Sequence, residues 1–422
     1  MRLRTEEGVK TSSPPGSLEK AFIVLVLLAS LGAFMNLTVT GPIGGRGQET
    51  GMPGMQIAWS IIYLIVLVVY FGKCDRPIRK IFRVAPLIPV VVLALVSITW
   101  SQDPPLTLRR SIALALTLVF GVYFAWRFSA KERFRLLAWA FAVCIAFSFF
   151  FELLNLNPSE GMPGWYGVFY HKTELGRNMI LATLGFFFWK KVEPDKSGFA
   201  WAGLLSSAGL VLLARDMTSL LVLIALLILF PYSQWSLRSR LRRAVIGMAF
   251  LLSLGIMLVL WVASHLVAVT SFLGRDPTLT GRVPLWIFST VMALRRPWLG
   301  YGYNAFWLTD DALVRKMWQL LRWQPPHAHN GALELWLELG FIGAAWFLLG
   351  FVFYLVQALK YFRANSDAAS AWPLMFLAFF FFANLTEGFF LVPNSIYFIL
   401  YVAIAASMCA TEHKADTLSR LA

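Results

Sequence analysis

Charged residues are scarce in this chain: Asp, Glu, Lys and Arg together make up 14% of its 422 residues. Soluble domains average about 25% charged residues, so this shortage excludes an ordinary soluble protein. Hydrophobic residues instead account for 58% of the sequence, and the mean hydropathy is +0.67. The composition therefore predicts an all-α polytopic membrane protein.

Cysteines are also few, and Cys74, Cys144 and Cys409 all lie in or next to apolar segments. Their spacing fits neither a zinc site nor a disulfide framework, so we interpret them as packing residues. The chain lacks a Walker motif, a dinucleotide-binding fingerprint, a heptad run and any repeat of about 20–50 residues. No sequence motif therefore points to a cofactor.

Apolar runs of about 17–25 residues, the length that crosses a bilayer core, recur along the whole chain. We predict about twelve transmembrane helices, near residues 20–39, 56–72, 84–100, 108–127, 135–155, 175–190, 198–214, 216–231, 244–269, 330–358, 372–388 and 391–410. Arg215 and Asp216 separate the seventh run from the eighth, so a tight turn is expected there. The first run lacks a small-residue cleavage site, so we interpret it as a retained span.

The basic residues predict the orientation of these helices. The net charge is +15, and most of the 37 Lys and Arg residues fall in alternate connecting segments, as cytoplasmic loops require. Both termini are then cytoplasmic, and no nucleic-acid partner is needed to explain the charge. The predicted organisation is a cytoplasmic tail at 1–19, helices 1–9 over 20–269, one long periplasmic loop at 270–329, helices 10–12 over 330–410 and a cytoplasmic tail at 411–422.

Some basic residues fall on the outer side, against the orientation rule. They are Arg109, Arg110, Lys172, Arg177, Arg215 and Arg282. Each could snorkel or form an ion pair, for example Arg215 with Asp216. Together they suggest an anionic ligand such as a lipid diphosphate, because a guanidinium fork matches phosphate oxygens.

The long loop 270–329 is itself a functional signal, because loops of this length are uncommon in compact domains. It includes an amphipathic stretch at about 307–323 and ends in the sequence Pro-Pro-His-Ala-His-Asn-Gly at 325–331. Histidine exchanges protons near neutral pH, so His329 is a candidate general base. Alternatively, Asn330 only caps the following helix and the histidines are solvated.

Other polar residues lie near predicted helix ends or in other parts of the chain. Glu152, Glu387 and Asn384, near outer helix ends, could orient an acceptor or pair with an arginine. His265 lies inside a predicted span and His413 in the C-terminal tail, so neither is expected in the site.

Several motifs carry a family resemblance. His329-Asn330, nine further residues and Gly340-Phe-Ile-Gly343 resemble the signature of the O-antigen ligase and exopolysaccharide polymerase superfamily. Weaker similarities are Thr280-Gly281-Arg282 with Trp286, Pro-Trp-Leu-Gly-Tyr-Gly-Tyr at 297–303, His171-Lys172 with Leu175-Gly176, and Arg215 with Thr218-Ser219.

This resemblance implies a glycosyltransferase of the bacterial cytoplasmic membrane that works on the periplasmic side. Such proteins transfer a glycan from undecaprenyl diphosphate to a glycan or lipid acceptor hydroxyl without a metal or other cofactor. His329 would be the general base, and Arg215 and Arg282 would bind the diphosphate. Possible supporting residues are Asn330, Arg177, Lys172, His171 and His327.

The resemblance also suggests membrane lipid and other polysaccharide export proteins as partners. A polymerase of exopolysaccharide or O-antigen repeat units is favoured over an O-antigen ligase. A transporter of polysaccharide or lipid-linked substrate, or a scaffold without enzyme activity, remains an alternative. A transporter would predict ionisable residues at mid-span and an internal repeat.

Overall fold

The computed structural model describes residues 14–34, 53–156, 163–237, 282–308, 312–321, 324–365 and 367–419. Within these ranges all regular structure is helical and no strand occurs, which confirms an all-α protein for this part of the chain. In chain order its helices α1 to α14 are Ser17–Ser30, Pro53–Lys73, Pro77–Ile81, Ile88–Val96, Pro104–Arg127, Ala130–Leu153, Lys172–Val192, Ser197–Leu213, Met217–Tyr232, Arg282–Arg295, Ala312–Leu321, Gly331–Ala364, Trp372–Asn384 and Ile396–Ser419.

Seven helical segments of the described chain are long and apolar enough to cross a membrane. They lie in α2, the joined pair α3–α4, α5, α6, α8, α9 and α12. Two shorter apolar helices, Ala368–Asn384 and Ile396–Met408, follow α12. A multi-pass membrane protein is thus supported, while the count of twelve spans and the orientation stay predictions. The predicted span 244–269, with His265, lies outside the described residues.

Local sequence sets where several helices begin. Ser129 and Glu132 form a capping box at the start of α6, in which each side chain pairs with the backbone of the other. Asp216 caps α9, because its carboxylate accepts from the backbone N–H of Ser219 at 2.9 Å and from its hydroxyl at 2.6 Å. The tight turn predicted at Arg215-Asp216 is confirmed, since α8 ends at Leu213 and α9 starts two residues after Arg215.

The helices pack closely where glycine allows it. A Cβ atom on Gly121 of α5 would lie 2.7 Å from the Cβ atom of Val402 in α14. Likewise, a Cβ atom on Gly203 of α8 would lie 2.4 Å from the ring of Phe186 in α7. Both separations are too short for a larger side chain, so glycine determines how near these helix pairs approach.

The long helix α12 is broken at Gly340. This glycine has a φ of +67° and a ψ of −173°, so the helix axis changes direction there. The loop after α10 fills the break: the N–H of Tyr301 donates to the carbonyl of Leu337 at 2.8 Å, and the N–H of Phe341 donates to that of Pro297 at 2.7 Å. The glycine-rich motif at 297–303 thus pairs with backbone groups that the break leaves open.

Two segments of the connection predicted at 270–329 are helical in the part of the chain that the structure describes. Residues Arg282–Arg295 form α10, whose buried Leu285, Ser289 and Met292 recur at helical spacing, and Leu285 and Met292 share a buried cluster with Leu337 of α12. This helix was missed because 14 residues are too few to cross a bilayer. The amphipathic stretch predicted at about 307–323 is confirmed as α11.

Candidate active site

The histidine segment, residues 325–331, is held by contacts on both sides of Ala328. The carboxylate of Glu334, one turn into α12, accepts from the N–H of Ala328 at 2.6 Å. The indole N–H of Trp286 in α10 donates to the Ala328 carbonyl at 2.9 Å. Glu334 is 3% exposed, and it also accepts from the indole N–H of Trp307 at 3.0 Å. These buried hydrogen bonds fix the backbone between the two histidines.

The two histidines face each other. His329 has a φ of +48°, in the left-handed region, and this turn brings the imidazole centroids to 4.0 Å. The N–H of His329 donates to Nδ1 of His327 at 3.0 Å, so the neutral form of His327 has its proton on Nε2. Asn330 caps α12 by accepting from the N–H groups of Ala332 and Leu333 at 3.1 and 3.0 Å.

Glu387, in the segment between α13 and α14, joins both histidines to two arginines. Its Oε1 lies 3.4 Å from Nδ1 of His329 and 3.3 Å from a terminal nitrogen of Arg282. Its Oε2 lies 3.5 Å from Nε2 of His327 and 3.7 Å from a terminal nitrogen of Arg177. Glu387 is 9% exposed. We call these five residues the Glu387 cluster.

Arg177 is oriented by aromatic neighbours. Its Nε donates to the hydroxyl of Tyr397 at 3.0 Å, and its guanidinium lies over the rings of Phe389 and Tyr397, 4.7 and 5.2 Å from their centroids. The Tyr397 hydroxyl in turn donates to the side-chain carbonyl of Asn178. Such cation–π contacts favour the charged form, so the guanidinium is held by α7 and α14 before any ligand arrives.

The neighbours of Glu387 favour its carboxylate form. Burial by itself would raise the pKa of this carboxyl, but its contacts with His329, His327 and Arg177 outweigh burial and hold the pKa below its usual range. An anionic Glu387 favours the His329 tautomer that carries its proton on Nδ1. The other nitrogen, Nε2, is then the one that can take up a proton.

The cluster also contains three groups that could bind a metal ion. The ligand atoms of His327, His329 and Glu387 all lie within 4.8 Å of one another, and two imidazoles with a carboxylate suit zinc. However, guanidinium nitrogens lie 3.3 and 3.7 Å from the same carboxylate and already supply positive charge. This charge opposes a further cation, so the arrangement suits an anionic ligand better.

Four of the residues that the sequence analysis named come together in the Glu387 cluster: His329, His327, Arg282 and Arg177. They come from α7, α10 and the start of α12, although as many as 152 residues separate Arg177 from His329. All four lie at or near helix ends and none lies in the middle of a span.

The structure does not place the other named residues in this cluster. Arg215 is exposed at the turn before α9, and its side chain contacts no partner among the described residues by hydrogen bond or ion pair. Lys172 donates to the carbonyl of Pro163 at 3.0 Å, and exposed His171 packs its ring edge against Tyr170. Asn330 neighbours the cluster but serves as the helix cap.

Sequence reasoning undervalued two glutamates. Glu387 was named only as a residue that could orient an acceptor or pair with an arginine, and this pairing is confirmed for Arg177 and Arg282. No sequence motif assigned a role to Glu334. An ionisable residue at the end of an apolar helix is a signal for both, but 58 residues separate Glu387 from His329, so no spacing rule connects them.

Comparison with known proteins agrees with the motifs. The family model described as "O-Antigen ligase" (Wzy_C) matches residues 201–348, which include Arg215, Arg282 and both histidines of the cluster. "Exopolysaccharide production protein ExoQ" of Rhizobium meliloti is 26% identical, over 60% of this chain and 60% of that protein. The match thus spans less than two thirds of the ExoQ sequence.

Two further relatives come from Rickettsia. "Putative polysaccharide ligase RP358" of Rickettsia prowazekii is 25% identical, over 55% of this chain and 69% of that protein. RT0347 of Rickettsia typhi, with the same description, is 23% identical over 67% of this chain and 82% of that protein. Through the matched domain and these relatives, the chain is similar to O-antigen ligases and to ExoQ-type exopolysaccharide production proteins.

Proposed function

We propose that this protein is a membrane glycosyltransferase that transfers a glycan from undecaprenyl diphosphate to an acceptor hydroxyl on the periplasmic face of the bacterial cytoplasmic membrane. The names of its relatives support a polysaccharide ligase or polymerase. The observation that supports a diphosphate donor and an acceptor hydroxyl is the Glu387 cluster, which sets a histidine–carboxylate pair beside two guanidiniums.

His329 acts as the general base in this proposal. The acceptor hydroxyl gives its proton to Nε2 of His329 while its oxygen bonds to the anomeric carbon and the diphosphate leaves with the bonding electron pair. Glu387, at 3.4 Å from Nδ1, stabilises the imidazolium that forms. General-base assistance of this kind contributes about 10²–10⁴-fold to the rate.

Arg282 and Arg177 receive the negative charge of the leaving diphosphate. Preoriented cations stabilise such charge as it develops, and no metal is required for that purpose. Arg215 adds positive charge nearby, because its turn packs on α7: a Cβ atom on Gly176, the neighbour of Arg177, would lie 2.4 Å from the Ser219 hydroxyl. We assign Arg215 to the diphosphate or to the glycan next to it.

Polymerisation of exopolysaccharide or O-antigen repeat units is the favoured reaction, because an exopolysaccharide production protein is among the relatives. Ligation of a finished chain to the lipid A core is the second candidate, supported by the two rickettsial relatives described as ligases. A transporter gains no support from the described residues, because the charged groups of the Glu387 cluster lie at helix ends and not at mid-span.

The test is a strain lacking this gene, complemented with the wild-type protein or with His329→Ala. We expect His329→Ala to reduce glycan transfer by at least about 10²-fold while the tagged protein still inserts into the membrane. Single repeat units left on the carrier lipid would identify a polymerase, and full-length chains without their lipid core would identify a ligase. Wild-type surface glycans with His329→Ala would contradict the mechanism.

A further inference from the structure

Glu387 already occupies the position of an anion between the two arginines. A carboxylate and a phosphate offer a guanidinium similar oxygen pairs, so both compete for the same donors. The arginine nitrogens lie 3.3 and 3.7 Å from the carboxylate, whereas a strong charge-assisted hydrogen bond measures about 2.7–2.9 Å. The two arginine contacts are therefore loose, as expected for an interaction that another anion can replace.

The two oxygens of Glu387 are shared unequally. Oε1 contacts both Nδ1 of His329 and Arg282, so these two donors compete for one oxygen. Arg177 reaches the other oxygen and is also bound by Tyr397. Arg282 begins α10, and the two arginine side chains are similarly exposed, at 21% for Arg282 and 17% for Arg177. Because the Tyr397 hydroxyl restrains Arg177, Arg282 is the arginine that we expect to turn towards a ligand.

We propose that Glu387 is a placeholder anion: the donor diphosphate displaces it from Arg282, and Oε1 of Glu387 is then left to His329. The inference rests on the proposed function and adds an order of events to it. Donor binding comes first, and it strengthens the contact that orients the general base. The acceptor is thus activated only when a leaving group is present.

This exchange has an energetic consequence for ligand affinity. In the absence of ligand, only the fraction of molecules in which Arg282 has left Glu387 can bind the diphosphate, and the apparent affinity falls by that fraction. If the Arg282–Glu387 contact is about tenfold more populated than the separated state, diphosphate binding is weakened by about tenfold. Removing the carboxylate charge should therefore tighten diphosphate binding while it harms catalysis.

The test uses the full chain purified in detergent, with inorganic pyrophosphate as the probe and calorimetry as the readout. We expect Glu387→Gln to bind pyrophosphate about tenfold more tightly than the wild type. The same variant should transfer glycan at least about 10²-fold more slowly, because His329 loses its anionic partner. Damage to the fold cannot produce tighter binding, and unchanged or weaker pyrophosphate binding by the folded variant would overturn the placeholder role.

Three further variants complete the experiment. Glu193 is a buried glutamate that pairs with Arg135 at the opposite end of α7. Glu193→Gln is therefore the matched control and should leave pyrophosphate affinity and transfer unchanged. If Glu387→Gln does not fold, Glu387→Asp withdraws the carboxylate by one methylene and should still tighten binding, and equal or weaker binding would again overturn the proposal. Arg282→Ala distinguishes the diphosphate site from the placeholder role of Glu387. Wild-type pyrophosphate affinity in Arg282→Ala would refute the diphosphate site itself. Loss of binding in Arg282→Ala, with unchanged binding in Glu387→Gln, would refute only the placeholder.

Discussion

Replacing Glu334 with leucine should release the histidine segment from α12. The Glu334 carboxylate accepts from the N–H of Ala328 at 2.6 Å and from the indole N–H of Trp307 at 3.0 and 3.1 Å. Leucine accepts no hydrogen bond, so Glu334→Leu leaves both buried donors unpaired. An unpaired buried donor costs about 1–3 kcal/mol, so the folded protein should lose about 2–6 kcal/mol of stability.

Glutamine at the same position should do much less harm. The oxygen of Glu334 that accepts from Ala328 also lies 3.1 Å from the Trp307 nitrogen, so one amide oxygen can serve both donors. Glu334→Gln then loses only the assistance of the charge, about 1 kcal/mol. Trp307→Phe is a matched variant that removes one donor and keeps a ring, so its loss should fall between the other two.

The assay combines thermal unfolding in detergent with glycan transfer in complemented cells. His329 follows Ala328 directly, and a displacement of about 1 Å at a reacting group can cost about 10²-fold in rate. We therefore expect Glu334→Leu to be strongly impaired in transfer and Glu334→Gln to be mildly impaired. Equal stability and equal transfer in the two variants would refute the assignment of Glu334 as the anchor of the segment.

Two other predictions concern stability. Gly340→Ala should destabilise the protein by about 3 kcal/mol or more, because φ is +67° and a Cβ atom would lie 2.1 Å from the Trp298 carbonyl; Gly209→Ala, a helical position with nothing within 4 Å, should be neutral or stabilising in the same unfolding assay. Burial opposes the ionisation of Glu193, but hydrogen bonds from Arg135, Trp189 and Lys131 outweigh it and lower the pKa of Glu193 to about 2. The stability from this depressed pKa is present above the ordinary value of 4.5 and is lost as the pH falls through about 2. Glu193→Gln should thus unfold more easily by about 1 kcal/mol at pH 7, and the difference should close between pH 4.5 and 2; a constant difference over that range would contradict the ion pair.

Sequence patterns predicted the parts of the fold that depend on neighbours along the chain. The apolar runs predicted membrane helices, and the interruption at Arg215-Asp216 predicted the turn between α8 and α9. Helix α10 escaped prediction because its 14 residues are shorter than a span. The break at Gly340 also escaped, because the groups that fill it come from the loop after α10, about 40 residues earlier.

The sequence also predicted some residues of the candidate site and not others. Sequence alone identified the histidine motif, selected His329 within it, and named Arg282 and Arg177 as cations on an unexpected side of the membrane. The family resemblance assigned Arg215 to the diphosphate and left Arg177 as a supporting residue, whereas the Tyr397 and Glu387 contacts bring Arg177 into the cluster.

The sequence by itself determined the helical membrane class, the position of the histidine motif at the start of α12 and the excess of positive charge near it. These depend on composition and on spacing within single helices, which are local properties of the chain. Only the tertiary structure decided that Glu387 joins both histidines to both arginines, and that Glu334 with Trp286 holds Ala328 between them. Contacts of this kind depend on which helix ends pack together, and packing is set by shape complementarity between distant segments.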